Sequence, residues 1–146
     1  MGKRRKITMR TYLEHIASCY MSYWNICTRD PAIEKKIYEI KIFEEVWNPE
    51  NWNQEFNLWI AGPLKFNASI PEELEAFTLP GGLFAKFPYQ GSLEENGIYH
   101  YIYTRWLPES IYEIGLGPQY EIAEYEAFSE PNRKQVSIYI PLQLRQ

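Results

Sequence analysis

Apolar and polar positions alternate along this chain in two registers, one helical and one strand-like. Residues 17–27, Ala-Ser-Cys-Tyr-Met-Ser-Tyr-Trp-Asn-Ile-Cys, lack Gly, Pro and charge and are rich in strand formers. They predict a long first strand from about Ile7, broken near Glu14 and His15. Asp30-Pro31 then reads as a helix start, with Asp as N-cap and Pro in the first turn. Ile33, Ile37, Ile40, Val46 and Trp47 follow at helical spacing until Asn48-Pro49. Strands are expected over 55–61, ended by Gly62-Pro63, and over Leu74–Leu79, closed by Pro80-Gly81-Gly82.

The second half repeats this order. Leu83–Phe87 predicts a strand, and Ser92 with Glu95 forms an S-x-x-E capping box. The helix behind it carries Ile98, Tyr99, Ile102, Tyr103 and Trp106 on one stripe and should stop at Pro108. Turns over 108–118 lead into strands near Tyr120–Ala127 and Val136–Ile140, the last ended by Pro141. Each half therefore reads strand, helix, strand, strand, without sequence identity between them. The fold class expected is α+β: two pseudo-symmetric units forming an antiparallel-rich sheet, two main helices on one face and a central ligand groove.

Composition narrows the function. At 146 residues the chain suits one domain, with a basic segment over residues 1–10, either a solvated tail or part of the first strand, and a domain over 11–146. Aromatics are 16% of the chain, 12 Tyr, 7 Phe and 5 Trp, which excludes a disordered segment. No apolar run is long enough to span a bilayer and no signal segment is evident, so a cytoplasmic chain without membrane attachment is expected. Lys3, Arg4, Arg5, Lys6 and Arg10 hold five of the 15 basic residues. The remainder is acidic, which argues against direct nucleic-acid binding.

Few residues suggest catalysis. There is no G-x-S-x-G, no phosphate-binding loop and no metal-ligand spacing, so no metal or cofactor is expected. His100 reads as a spectator among tyrosines, His15 has no assigned role, and Cys19 and Cys27 read as inert thiols. The informative stretch is Pro118–Phe128, where Glu121, Glu124 and Glu126 lie among aromatics. On a strand, Glu121 shares a face with Ala123 and Tyr125, opposite Tyr120, Ile122 and Glu124. Two readings stay open: three solvated edge charges, or one carboxylate pointing into an aromatic-lined cavity suited to a flat lipophilic cation.

Five pieces in order over Leu79–Leu142 bear on that choice: Leu79-Pro-Gly-Gly-Leu-Phe-Ala-Lys-Phe87 with Gly91, Trp106-Leu-Pro-Glu-Ser110, Tyr112-Glu113, Gly117-Pro-Gln-Tyr-Glu121 and Ile138-Tyr-Ile-Pro-Leu142. Together they resemble the GyrI-like, AraC-type effector-binding domain family. The resemblance implies a pocket between two pseudo-symmetric halves that takes amphipathic, often cationic, small molecules. It places Glu121 on the family's pocket glutamate, and Ala123 departs from an aromatic usual there. Tyr125 or Trp59 is expected to replace that wall, and Trp106, Tyr23 and Phe87 complete the expected ligand-binding residues, with Met21–Trp24 on the family's first long strand. No segment of helix-turn-helix size precedes the domain, so a stand-alone version is expected rather than a DNA reader. The leading expectation is a sensor or sequestering protein for lipophilic, cationic aromatic compounds. One alternative is a hydrolase of strained-ring electrophiles using Glu121 as acid or base. Another is a protein-partner module such as a topoisomerase inhibitor, and exposed strand edges leave a homodimer open.

Overall fold

A computed structural model describes residues 1–27, 36–63, 70, 72–92, 97–124 and 133–145. The strands are β1 (Gly2–Thr8), β2 (Lys36–Ile42), β3 (Glu55–Ala61), β4 (Phe84–Ser92), β5 (Tyr112–Ile114), β6 (Gln119–Glu124) and β7 (Arg133–Leu144). Helix α1 is Tyr12–Cys27; α2 (Gly97–Tyr101), a π-helical stretch (Ile102–Trp106) and α3 (Leu107–Glu109) run on from one another. The seven strands form one sheet in the order β1-β3-β2-β6-β7-β4, with β5 on β7, and every pairing is antiparallel. Each half contributes three neighbouring strands, and the two halves meet where β2 pairs β6.

The register fixes which side chains share a face, because opposed residues in a pleated sheet point the same way. Ile60, Glu39, Glu121, Ile138 and Phe87 form one row across β3, β2, β6, β7 and β4. Both helices cover that face. Tyr23 and Ile26 of α1 pack on Ile37 and Ile60. Ile98, Tyr99, Ile102 and Tyr103 pack against the cluster of Ala85, Ala123, Val136, Ile138 and Ile140. The two apolar clusters thus lie under separate helices. The opposite face carries Ile40, Trp59 and Ala61, covered in part by Phe77 and Leu79.

The first half keeps the strand-helix-strand-strand order, built from other residues than expected, and the second adds the short β5 within the 108–118 stretch expected as turns. Residues 12–27 are helix, so Met21–Trp24 lie on α1 and on no strand. Their apolar positions Tyr12, Ile16, Cys19, Tyr20, Tyr23 and Ile26 recur every three or four residues and turn to the sheet. Residues 36–42, expected in a helix, are the central strand β2, while Asp30-Pro31 and Ile33 lie outside the described residues. The basic N-terminus is the edge strand β1, paired with β3 along its length. Its lysines and arginines blunt an edge that would otherwise invite further pairing. Residues 74–79 form no strand: Glu75 alone bridges to Gly2, and Phe77 stacks on Trp59.

The second half follows expectation more closely. Pro88 is tolerated in β4 because β4 is an edge. Ser92 ends β4, and residues 93–96, Glu95 of the expected capping box among them, lie outside the described residues. The helix ends at Glu109, one residue past Pro108, whose missing N–H removes a bond from the last turn. Just before it, the Leu107 N–H reaches back to Ile102 O, the wider turn of a π-helix. Strand β7 continues through Pro141, whose carbonyl accepts from Gly115 N–H at 2.9 Å. Among the described residues, no helix is long and apolar enough to cross a membrane.

Candidate functional site

Where the halves meet, the helix-covered face of the sheet turns polar. Glu39 on β2 stands directly across from Glu121 on β6, and Lys41 across from Gln119. All four are buried, at 5%, 5%, 8% and 4% exposure respectively, although such residues are seldom buried without partners. The neighbouring pair on the other side, Ile37 and Ala123, is apolar. The site is thus polar toward one end of the strands and apolar toward the other.

The helices supply the partners. From α1, Tyr12 Oη donates to Glu39 Oε2 at 2.9 Å and Tyr20 Oη donates to Glu39 Oε1 at 3.0 Å. From α2, Tyr99 Oη donates to Glu121 Oε1. Tyr103, on the π-helical stretch, donates to Gln119 Oε1 at 2.5 Å and shares a hydrogen bond with the Trp47 side chain. The Lys41 ammonium lies 5.2 Å from the Tyr12 ring centroid and 5.6 Å from that of Tyr99. Each half therefore contributes one buried glutamate held by tyrosines of its own helix.

These surroundings keep the phenols protonated. Burial pushes the Tyr12, Tyr20 and Tyr99 hydroxyls well above the ordinary phenol range, and the charges of Glu39 and Glu121 push further in the same direction. Burial likewise raises Tyr103. Four hydroxyls thus remain donors at neutral pH, aimed at the carboxyl oxygens of Glu39 and Glu121 and the amide oxygen of Gln119. Chemically, the arrangement can hold a positive charge, orient a hydrogen-bonding group or hold a proton.

The expected ligand-binding residues are only partly brought together. Glu121 is at the centre, with Ala123 on its face as the alternation of β6 requires. Phe87 lies on the same sheet face, in an edge-to-face contact with Trp106 of the helix, ring centroids 5.1 Å apart. Trp59 lies on the opposite face of the sheet from Glu121, stacked on Phe77 with centroids 5.0 Å apart. Tyr23 is fully buried in the α1 core cluster, its hydroxyl against Gly62, where it packs the first half. Tyr125 and Glu126 lie outside the described residues.

Sequence reasoning missed Glu39, Lys41, Tyr12, Tyr20 and Gln119. The signal available for the tyrosines was their helical spacing with Ile16 and Cys19. For Glu39 it was the place of β2 in the repeat, as the first of two long strands after its helix, a place that β6 holds in the second half beyond the short β5. His100 is exposed on α2 and His15 half-buried on α1. Their backbone carbonyls accept from Thr104 and Ser18 hydroxyls one turn further along the chain, which is local helix bonding and no part of the site. The Cys19 thiol, half-buried on α1, is raised by burial. Among the described residues no group of three or more His, Cys, Asp or Glu could hold a metal ion.

A comparison with curated proteins gives no match. The family model of integron-associated effector binding proteins, Cass2, matches residues 21–142, from the second half of α1 to two residues short of the end of β7. That span contains both glutamates, Lys41 and the tyrosines of α2, and an effector-binding family carries small-molecule binding with it. Two halves joined at β2 and β6, with a match over most of the length, place this chain in the Cass2 family of integron-associated effector binding proteins, within the GyrI-like effector-binding group.

Proposed function

We propose that the chain binds a flat, lipophilic aromatic cation between α1 and α2, over the Glu39–Glu121 pair. The observation that carries this reading is the Glu39–Glu121 pair, buried where the halves meet, with the Lys41 ammonium beside it lying over the rings of Tyr12 and Tyr99. The half-buried rings of Tyr12, Tyr20, Tyr99 and Tyr103 offer π faces and hydroxyls at its rim. Phe87 and Trp106 extend the apolar wall on the second-half side. Sensing or sequestering such a compound needs no bond to be broken.

The test uses an isosteric pair, N-methylquinolinium and neutral 1-methylnaphthalene, titrated into wild type, Glu121→Gln and Glu39→Gln while tryptophan fluorescence is followed. Loss of one buried charge partner should weaken the cation by about 1–3 kcal/mol, roughly 5- to 150-fold, and leave the hydrocarbon nearly unchanged. Equal binding of the pair by wild type, or equal cation binding by all three proteins, overturns the reading. Mass spectrometry of the recovered cation separates binding from turnover.

A further inference from the structure

Lys41 breaks the symmetry of the site. Across the Glu39–Glu121 pair, its counterpart two residues along β6 is Ala123, so the duplicated architecture does not itself require a lysine. The residue is nevertheless buried, its ammonium between one ring from each helix at 5.2 and 5.6 Å, within reach for cation–π attraction. Those rings are fixed from their other ends, because Tyr12 and Tyr99 donate to Glu39 and Glu121. Among the described residues, the two ion pairs are elsewhere, Arg4 with Glu75 and Lys6 with Glu55. The ammonium therefore lies over ring faces, the same feature a cationic ligand would use.

We propose that Lys41 is a tethered competitor that occupies the cation position until a ligand displaces it and so sets which cations can enter. This inference rests on the cation-binding reading above. An entering ligand displaces the ammonium from between Tyr12 and Tyr99, and the flexible four-carbon stem lets it swing outward. A small hydrophilic cation replaces one positive charge by another and gains little. A large flat aromatic cation gains apolar contact with the rings as well. Lys41 thus selects lipophilic aromatic cations against simple alkylammonium ions.

The experiment compares wild type, Lys41→Met and Lys41→Arg for binding of N-methylquinolinium, tetramethylammonium and 1-methylnaphthalene. Lys41→Met should bind N-methylquinolinium about tenfold more tightly and acquire measurable tetramethylammonium binding, while Lys41→Arg gains neither. Unchanged or weaker cation binding by Lys41→Met overturns the competitor role. If Glu121→Gln still weakens the cation in that case, the cation-binding reading stands without it. Absence of cation binding in both wild type and Lys41→Met overturns both. A readout in wild type guards against a variant that fails to fold. The Lys41 ε-methylene protons should be shifted upfield by the two rings and return to ordinary positions on saturation with N-methylquinolinium. Resonances that are unshifted in the free protein, or that do not move on saturation, overturn displacement.

Discussion

A phenol that donates to a buried carboxylate has two reasons to stay protonated, and Tyr12, Tyr20 and Tyr99 have both. Desolvation disfavours the phenolate, and Glu39 and Glu121 already hold negative charge beside it. The folded values therefore lie above the unfolded one, near 10. Above the unfolded value the native protein binds more protons than the unfolded chain, so stability falls as pH rises. The stabilisation is complete below the ordinary phenol range and is lost as pH climbs through the raised folded values. Thermal stability should be level from neutral pH to about pH 9 and decline beyond about pH 10. The phenolate absorbance of these tyrosines should appear only with that decline. In Tyr12→Phe and Tyr99→Phe the alkaline slope should be shallower, while each loses about 1–3 kcal/mol near neutral pH because a buried carboxylate loses its donor. Tyrosines that all titrate near pH 10 with the fold intact would contradict this account.

At the scale of elements, the second helix is anchored by few side chains. Ile102 is the buried residue of the π-helical stretch and is fully inaccessible, packed with Ile138 and Ile140 under Tyr99 and Tyr103. Ile102→Ala should cost about 2–5 kcal/mol in urea unfolding, and a loss under about 1 kcal/mol would mean that the helix is held elsewhere. Which elements could be read from sequence follows from the same packing. Strands β3, β4 and β7 carry apolar residues toward a helix and turn residues at their ends, so their period shows. Helix α1 was hidden by composition: Tyr, Trp, Ile and Cys favour strands, and that preference outweighed the three-and-four spacing. Its start carried a further cue, T-x-x-E at Thr11–Glu14, although the Thr11 hydroxyl in fact bonds back to the Thr8 backbone. Strand β2 was hidden by function. Glu39 and Lys41 occupy inward positions where a strand normally shows apolar residues, which leaves Ile37 and Ile40 to mimic a helical spacing. Glu121 was legible only because its flanking Gly117-Pro118-Gln119-Tyr120 resembles a known motif.

For the molecule as a whole, the sheet is continuous while the packing beneath the helices is divided. One apolar cluster belongs to α1 and another to the second helix, and between them lies the row of Glu39, Lys41, Gln119 and Glu121. A third cluster bridges the halves beside the site, where Tyr103 and Ile114 reach Phe43, Trp47 and Phe56. The β2–β6 pairing thus runs under a polar seam, which offers less apolar burial than the strands on either side. A ligand seated there touches both halves and ties them together. Binding to the native state alone should raise global stability by about 2.7 kcal/mol at a hundredfold excess over Kd. The distribution of that gain discriminates between sites. Hydrogen exchange of β2 and β6 amides, and of the turns around Tyr12 and Tyr99, should slow more than that of the outer strands β1 and β4 when exchange occurs by local opening. Protection centred instead on the outer face, near Trp59 and Phe77, would put the ligand on the other side of the sheet. A uniform slowing with no local component would show only global stabilisation, and the seam would then be no weaker than the strands around it.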